Sequence, residues 1–366
     1  MRKNHLPYLR DPLTRSPFTL NIFEESGGHV VSGLLLADQD KSWYPIIGGI
    51  PRILIGELKE NILQTRREFF ELHRDILPEV IRNEWQATIE RIADLDAFLA
   101  HQKRTAESFA YEWKYIYREN SYEKKNFFHF AGPYVTEESL QGKETLDIGC
   151  GSGRFTKWAA LSGTKVSFGT DLGESVEVAY ELTKDIENVS IVQADIYAMP
   201  FFDTFDLVYS IGVLHHLPKP KDGFLRLPKV LKNGGEMVIW VYNRRDNARA
   251  LYFYEPLRAI LRHLPKPVLF KLCYLPGGIV HGINLFGRWL TQIGFPTLEK
   301  KLPFAYYANF PFNMKLNDAF DVLATPKSNY YYVEEVEDWF KTAQLSKLQT
   351  FEHPEAGITA IGTYGD

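Results

Sequence analysis

Cysteine is scarce, with Cys150 and Cys273 the only two among 366 residues. Two thiols build neither a disulfide framework nor a four-cysteine zinc site, and this usage fits a reducing cytoplasm, where the protein is expected to reside. Long apolar runs are missing too. The best candidate, 267–286, is interrupted by Lys271, Pro276, Gly277, Gly278 and His281, short of the roughly 20 unbroken residues of a spanning helix, so no transmembrane segment is expected. The start, MRKNHLPYLRDP, has charge but no apolar stretch behind it, so no secretory signal is expected. Nor does one sign of charge dominate. With 42 Lys+Arg against 46 Asp+Glu the formal charge is −4, which disfavours a general nucleic-acid coat and makes nucleic acid the weaker partner. Apolar residues, at 45%, suffice for buried cores.

Residues 1–56 read as short strands and turns: an apolar run from His29 to Leu36, a polar turn over 38–42, then WYPIIGGIPRILI with its Gly and Pro punctuation. This is a small β module. From 57 to 104 charged helix formers take over, and Pro78 divides them into expected helices over 58–76 and 79–102, a helical connector. The apolar period of Val80, Ile81, Trp85, Ile89, Ile92, Leu95, Phe98 and Leu99 implies that the second helix packs on something. Over 105–366 apolar runs alternate with helical stretches. Strands are expected at 144–149, 165–170, 189–193, 205–210, 235–242, 346–352 and 357–364, with helices at 153–162, 174–186 and 333–343. That is the pattern of a mostly parallel α/β sheet. Pro228 should shorten the helix before the fifth strand. The segment 244–332, helical at first and then irregular, exceeds a normal βα connection and is expected to cover an active site.

The chemistry is concentrated in LDIGCGSGRF, 146–155, where a strand ends in Asp147 and runs into Gly149, Gly151 and Gly153 before a helix. Glycines at spacing two allow a tight turn and let a ligand press on bare backbone. Dinucleotide enzymes use a related turn with G-x-G-x-x-G spacing, so the following motifs decide. The second strand ends in Asp171, 24 residues beyond Asp147, where a carboxylate suits two ribose hydroxyls; the third ends in Asp195, another 24 residues on. A fourth strand continues as FDLVYSIGVLHHL, 205–217. Helix-cap or turn roles are the alternative for Asp171 and Asp195, and Cys150 reads as a small packing residue.

With these motifs in order, the sequence resembles the class I S-adenosylmethionine-dependent methyltransferases over about 105–243, and more loosely in the C-terminal strands. The resemblance implies a Rossmann-like seven-stranded sheet with a helical lid insertion, and S-adenosyl-L-methionine as cofactor. It implies that Asp147, Gly149, Gly151 and Gly153 hold the methionine moiety, Asp171 the ribose, and Asp195 with Ile196 the adenine. The segment from Ser210 to His215 would lie along the methionine and the reacting methyl. His215 and His216 are candidate bases for an oxygen or nitrogen acceptor, the alternative being that they only orient the chain. The helix ESFAYEWKYIY, 107–117, resembles one that closes over the cofactor.

The N-terminal 56 residues are similar to the zinc-ribbon-like domain that activates certain methyltransferases, through Gly33, Leu35, Tyr44-Pro45-Ile46 and Gly49-Ile50-Pro51-Arg52. Asp11, Thr14, Ala37 and Asp40 stand where that family carries cysteines, so no metal is expected there. The module would be a relic fold held by Trp43, Tyr44, Ile46 and strand 30–36, stabilising the catalytic domain or framing the acceptor site.

From Arg244 to Lys271 seven Lys or Arg face two acids, with Leu251, Tyr254, Leu257, Ile260, Leu261 and Leu264 at helical spacing. A lid helix, capture of an anionic acceptor and weak contact with an acidic membrane surface all fit this pattern. In the aromatic run 304–332, Tyr307 and Tyr331 are the expected substrate contacts. The main expectation is methyl transfer to an oxygen or nitrogen of a small metabolite, anionic ones included. A tRNA or other macromolecular acceptor is the second reading, and a non-catalytic cofactor-binding scaffold the third.

Overall fold

The computed structural model describes residues 1–366 apart from 39–40, 90–96, 246, 248–254, 262, 326–327, 355–356 and 366. Eleven strands form one mixed sheet: β1 (Thr19–Ser26), β2 (His29–Ala37), β3 (Ser42–Ile47), β4 (Ile50–Ile53), β5 (Glu144–Ile148), β6 (Val166–Asp171), β7 (Val189–Ala194), β8 (Phe205–Ile211), β9 (Leu231–Tyr242), β10 (Leu345–His353) and β11 (Gly357–Tyr364). Their order is β1-β2-β3-β4-β7-β6-β5-β8-β9-β11-β10. The seven strands from β7 to β10 are the sheet expected from the alternating pattern, and β5 to β9 run parallel. Every residue of β5 and β7 is buried, as a parallel strand covered on both faces requires. Chain order reverses between β5 and β8, so a crevice opens at their carboxyl ends, the usual ligand position in open α/β sheets.

The helices that matter most lie at that end. The connector comprises α1 (Gly56–Thr65), α2 (Arg67–Leu72) and α3 (Glu79–Ile89). α4 (Ala97–Tyr111) then runs across the expected boundary at 104 and continues as a π-helical turn, Glu112–Ile116. Of the expected second connector helix, Ile92 and Leu95 lie outside the described residues. The domain proper adds α5 (Glu123–Ala131), α6 (Glu137–Leu140), α7 (Arg154–Leu161), α8 (Ser175–Thr183) and α9 (Pro220–Phe224). Pro228 sits in a separate 3-10 turn, Leu227–Val230. The insertion holds α10 (Glu255–Leu261), α11 (Lys266–Gln292), α12 (Pro296–Glu299) and α13 (Phe312–Ala324), before α14 (Val333–Thr342) returns to the sheet. Leu269 and Cys273 of α11, Phe320 and Leu323 of α13 and Ile116 share a separate lid core. Of the expected basic amphipathic helix, Leu251 and Tyr254 fall outside the described residues.

Two expectations change. The broken stretch 267–286 lies within one continuous helix, α11, of 27 residues with Pro276 inside it; by length and composition alone it could cross a membrane. And the N-terminal strands do not form a unit apart, because β4 pairs in parallel with β7 through Arg52↔Gln193 and Ile53↔Ala194, extending the sheet. Alternation along β3 sends Trp43 toward Phe70 and Trp85 of the connector, and Tyr44 and Ile46 into the main core. Asp11 accepts hydrogen bonds from Leu13 N, Thr14 N and the Ser42 and Tyr44 hydroxyls. Phe168 of β6 packs on Tyr8 at 5.3 Å, which ties the first residues to the same core.

Arg52 clamps this junction. Its side chain is 2% exposed, donates to Gln193 Oε1 at 2.8 Å and pairs with Glu177 at 3.2 Å. Arg52→Ala should therefore destabilise the whole chain by about 2 kcal/mol in urea unfolding, the low end for a broken buried pair because Glu177 keeps some contact with water. A change within experimental error would mean that the junction carries no stability.

Candidate cofactor and acceptor cavity

The glycine turn is shaped by three positive φ angles, +73° at Gly149, +55° at Gly151 and +79° at Gly153. A Cβ at Gly149 would lie 2.5 Å from Val213, and one at Gly151 would lie 2.7 Å from Trp113 Nε1, so both strain and space demand glycine. Gly149 N and Cys150 N donate to Thr170 O at 2.7 and 2.9 Å, which fixes the turn against the end of β6. Asp171 ends β6 and accepts from Gly151 N at 3.0 Å and Gly173 N at 2.8 Å. Burial raises its pKa while these N–H groups oppose the rise.

The turn opens on a cavity of about 710 Å³. Gly149, Gly151, Asp171, Leu172 and Ile196 line it, together with Gln102, Phe109 and Trp113 from α4 and the π-helical turn. Placement separates the expected cofactor residues into two groups. Gly149, Gly151, Asp171 and Ile196 line the cavity; Asp147, Gly153, Asp195 and Ser210 stand behind the wall. Asp147 accepts from Thr156 Oγ1 at 2.7 Å, locking α7 to β5, and burial pushes its pKa up to about 7. Asp195 accepts from Gln102 Nε2 at 2.6 Å and Tyr197 N at 3.2 Å, so Gln102, not Asp195, meets the cavity. Gln102 Oε1 is buried without a hydrogen-bond partner, an acceptor suited to an adenine amino group. Ser210 Oγ donates to Ile148 O at 3.1 Å and ties β8 to β5.

The insertion supplies Phe304, Tyr306, Tyr307, Asn317, Asp318 and Asp321 to the same lining, along with Trp240, Tyr242 and Glu112. Tyr307 hydrogen-bonds Asp318. Asp318 is pushed up to about 6 by burial and by Asp321, against the hydrogen bond from Tyr307 and the nearby Arg154 charge. Glu112 accepts from Asn317 Nδ2 at 2.7 Å, and burial with Asp321 and Asp318 holds its carboxyl well above the ordinary range. Arg154, first residue after the glycine turn, lies 4.9 Å from the Trp113 ring on the same wall. Its position suits the carboxylate of an amino-acid moiety lying on the turn.

Three expected contacts need correction. His215 is fully buried and lies off the cavity wall. Both its ring nitrogens lack a hydrogen-bond partner, and burial, then His216 and Arg258, drive its pKa well below the usual value. It is a neutral packing residue 3.9 Å from the Tyr242 ring, so the base role does not fall on it. His216 does line the cavity, with Nδ1 3.3 Å from Ser328 Oγ. Tyr331 packs on Trp339 at 4.7 Å, away from the cavity, whereas Tyr307 lines it. Among the described residues none of 1–56 reaches the cavity, so the N-terminal strands do not frame the acceptor site. Cys150 is buried with its thiol pKa well raised, as a packing residue should be.

Sequence reasoning missed Arg154, Glu112, Asp318 and Asp321. The available signals were the arginine directly after the third glycine and two acids one turn apart in 312–324.

Residues 146–239 match a family model described as a methyltransferase domain. The tRNA U34 carboxymethyltransferase of Vibrio cholerae serotype O1 (strain ATCC 39541) is 34% identical over 176 residues, 43% of this chain and 54% of that protein. The protein of the same name from Shewanella sp. (strain ANA-3) is 38% identical over 114 residues, 30% of this chain and 34% of that one. The chain thus spans about half or less of the length of these curated relatives. Among solved structures, magnesium protoporphyrin IX methyltransferase from Synechocystis PCC 6803 with bound SAH aligns at TM-score 0.42 and 13% identity, covering 74% of this chain and all of that one. A Mesorhizobium loti S-adenosylmethionine-dependent methyltransferase aligns at 0.39 and 16%, covering 67% and 98%. Residues 146–239 are a methyltransferase domain. The bare glycine turn, Asp171 and the unpaired Gln102 Oε1 fit S-adenosylmethionine, the cofactor that the sequence motifs imply.

Asp171→Ala should weaken S-adenosylhomocysteine binding by at least about 100-fold in calorimetry, because it removes the ribose acceptor and the anchor of Gly151 N. Gly151→Ala should do the same through strain and contact with Trp113. Wild-type affinity in either variant would displace the cofactor from this turn.

Proposed function

We propose that the protein transfers a methyl group from S-adenosylmethionine to a nitrogen or oxygen of a small neutral or cationic acceptor. The observation that carries this reading is that Glu112, Asp318 and Asp321 share one cavity with the glycine turn. Such a wall repels an anionic acceptor, contrary to what the basic insertion led us to expect. Arg258, within that basic stretch, is 3% exposed and donates to Val322 O and Ser328 Oγ, so it does not reach out to capture anions.

The cofactor supplies a methyl group made electrophilic by its positive sulfur. This chain then has to align the acceptor lone pair with that carbon, exclude water and take the acceptor's proton. Trp240, Tyr242, Tyr306 and Tyr307 wall the acceptor side and shape its approach. Asp318 is the proton acceptor: it is at the wall, oriented by Tyr307, and its pKa near 6 leaves it ionised at neutral pH yet basic enough to serve. His216, the histidine that lines the cavity, is the alternative base.

A nucleic-acid acceptor is the second reading, favoured by the names of the curated relatives against the expectation from net charge. An aromatic cavity also suits a single base swung out of its stack. Incubation with isotope-labelled methyl donor and cell extract separates the two. Label in the small-molecule fraction supports the first reading, and label in RNA, with binding that weakens steeply with salt, supports the second.

Asp318→Asn should lower kcat at least about 100-fold while leaving S-adenosylhomocysteine affinity nearly unchanged. Because protonation removes the base, kcat/KM of the wild type should fall as pH drops through about 6. A profile flat from pH 5 to 8 would remove Asp318 from this role.

A further inference from the structure

Among the described residues the outer face of α11 is left uncovered. Val268, Leu272, Leu275, Ile279, Phe286 and Trp289 are all exposed, Leu275 to 72% and Ile279 to 55%. With 100° per residue these positions and their apolar neighbours span roughly 160° of the helix, broader than the two-position seam of a coiled coil. Leu264 before the helix and Ile293, Phe295 and Leu298 after it are exposed as well.

Charge around this face is one-sided. Residues 256–298 contain five Lys or Arg and no Asp or Glu, in a chain whose net charge is −4; Arg258 is buried and Arg262 lies outside the described residues, which leaves Lys266, Lys271 and Arg288 to carry the charge here. Lys271 and Arg288 are exposed beside the apolar band. An apolar band flanked by cations and free of acids is complementary to an anionic lipid surface, where apolar side chains enter the headgroup boundary and cations meet phosphates.

The inner face of the same helix excludes a spanning orientation. Leu269, Cys273, Gly277, Asn284 and Gly287 are buried along its length, and Asn284 accepts from the buried Lys315 ammonium at 2.6 Å. Spanning would strip these contacts. We propose that α11 lies flat, with its outer face seated on the surface of an anionic bilayer. This places the lid at the membrane, because Asn284 Nδ2 donates to Phe304 O at 2.9 Å and Arg288 to Ala308 O at 2.5 Å, on either side of the cavity-lining Tyr306 and Tyr307. The proposal does not depend on the identity of the acceptor.

Sedimentation of the full chain with lipid vesicles tests it. Vesicles of phosphatidylcholine with about 30% phosphatidylglycerol should pull down the protein at least about fivefold more than pure phosphatidylcholine, and high salt should reduce the difference. Leu275→Glu/Ile279→Glu should abolish the pull-down while leaving the thermal unfolding midpoint and S-adenosylhomocysteine binding unchanged. Should that variant fail to fold, Leu275→Ser with Lys271→Glu makes the same test at lower cost to the helix. Equal pull-down of wild type and folded variant, or equal binding to neutral vesicles, overturns the proposal. So does failure to bind vesicles together with a concentration-dependent dimer that the same variant disrupts, since the face would then belong to a second copy of the chain.

Discussion

The left-handed backbone of the turn from Gly149 to Gly153 is the constraint on which the site depends. It bends the chain within a few residues from β5 into α7, and it keeps Gly149 and Gly151 bare where they line the cavity. The turn is held from outside by Thr170 O and Asp171, at the end of the neighbouring strand. The parallel order of β5, β6 and β8 thus converts sheet topology into a ligand site, because the carboxyl ends of all three meet at the point where chain order reverses. Asp147, behind the wall, contributes by locking α7 in place.

The second organising feature is the concentration of acids in the same cavity. Carboxylates removed from bulk water resist ionisation; beyond burial, the charges of Asp321 and Asp318 raise Glu112, and that of Asp321 raises Asp318. Folding accepts this cost at a place where a cationic sulfur and an acceptor proton would both relieve it. Arg154 balances part of the charge from the glycine side. Perturbed carboxylates of this kind cluster at functional sites. Glu112 Oε2 and Asn317 Oδ1 both remain buried without a hydrogen-bond partner.

What could be read in advance follows from what each motif encodes. The seven-strand pattern, the turn and Asp171 are local signals, set by side-chain period and by glycine at positions with positive φ, so sequence carries them directly. Asp318 depends on α13 folding back over the sheet, and nothing in 312–324 alone says which cavity its acids will face. The choice between His215 and His216 rests on one 3-10 turn, Leu214–His216, that buries the first against Tyr242 and leaves the second on the wall. α11 defeats the rule that proline and glycine end helices because Gly277 meets α13: a Cβ there would lie 2.8 Å from Leu316. Close packing keeps the helix intact where propensity would break it. The four residues of β4 are too few to announce that they join the main sheet.

The central claim is that glycine turn, α4 and lid enclose one shared cavity, and hydrogen exchange of the full chain with and without S-adenosylhomocysteine tests it most directly. Binding should slow exchange together in 147–153, 171–173, 102–113 and 304–322. Protection confined to the first two segments, with the lid exchanging as in the free protein, would contradict a shared cavity and separate the cofactor site from the wall that bears Asp318.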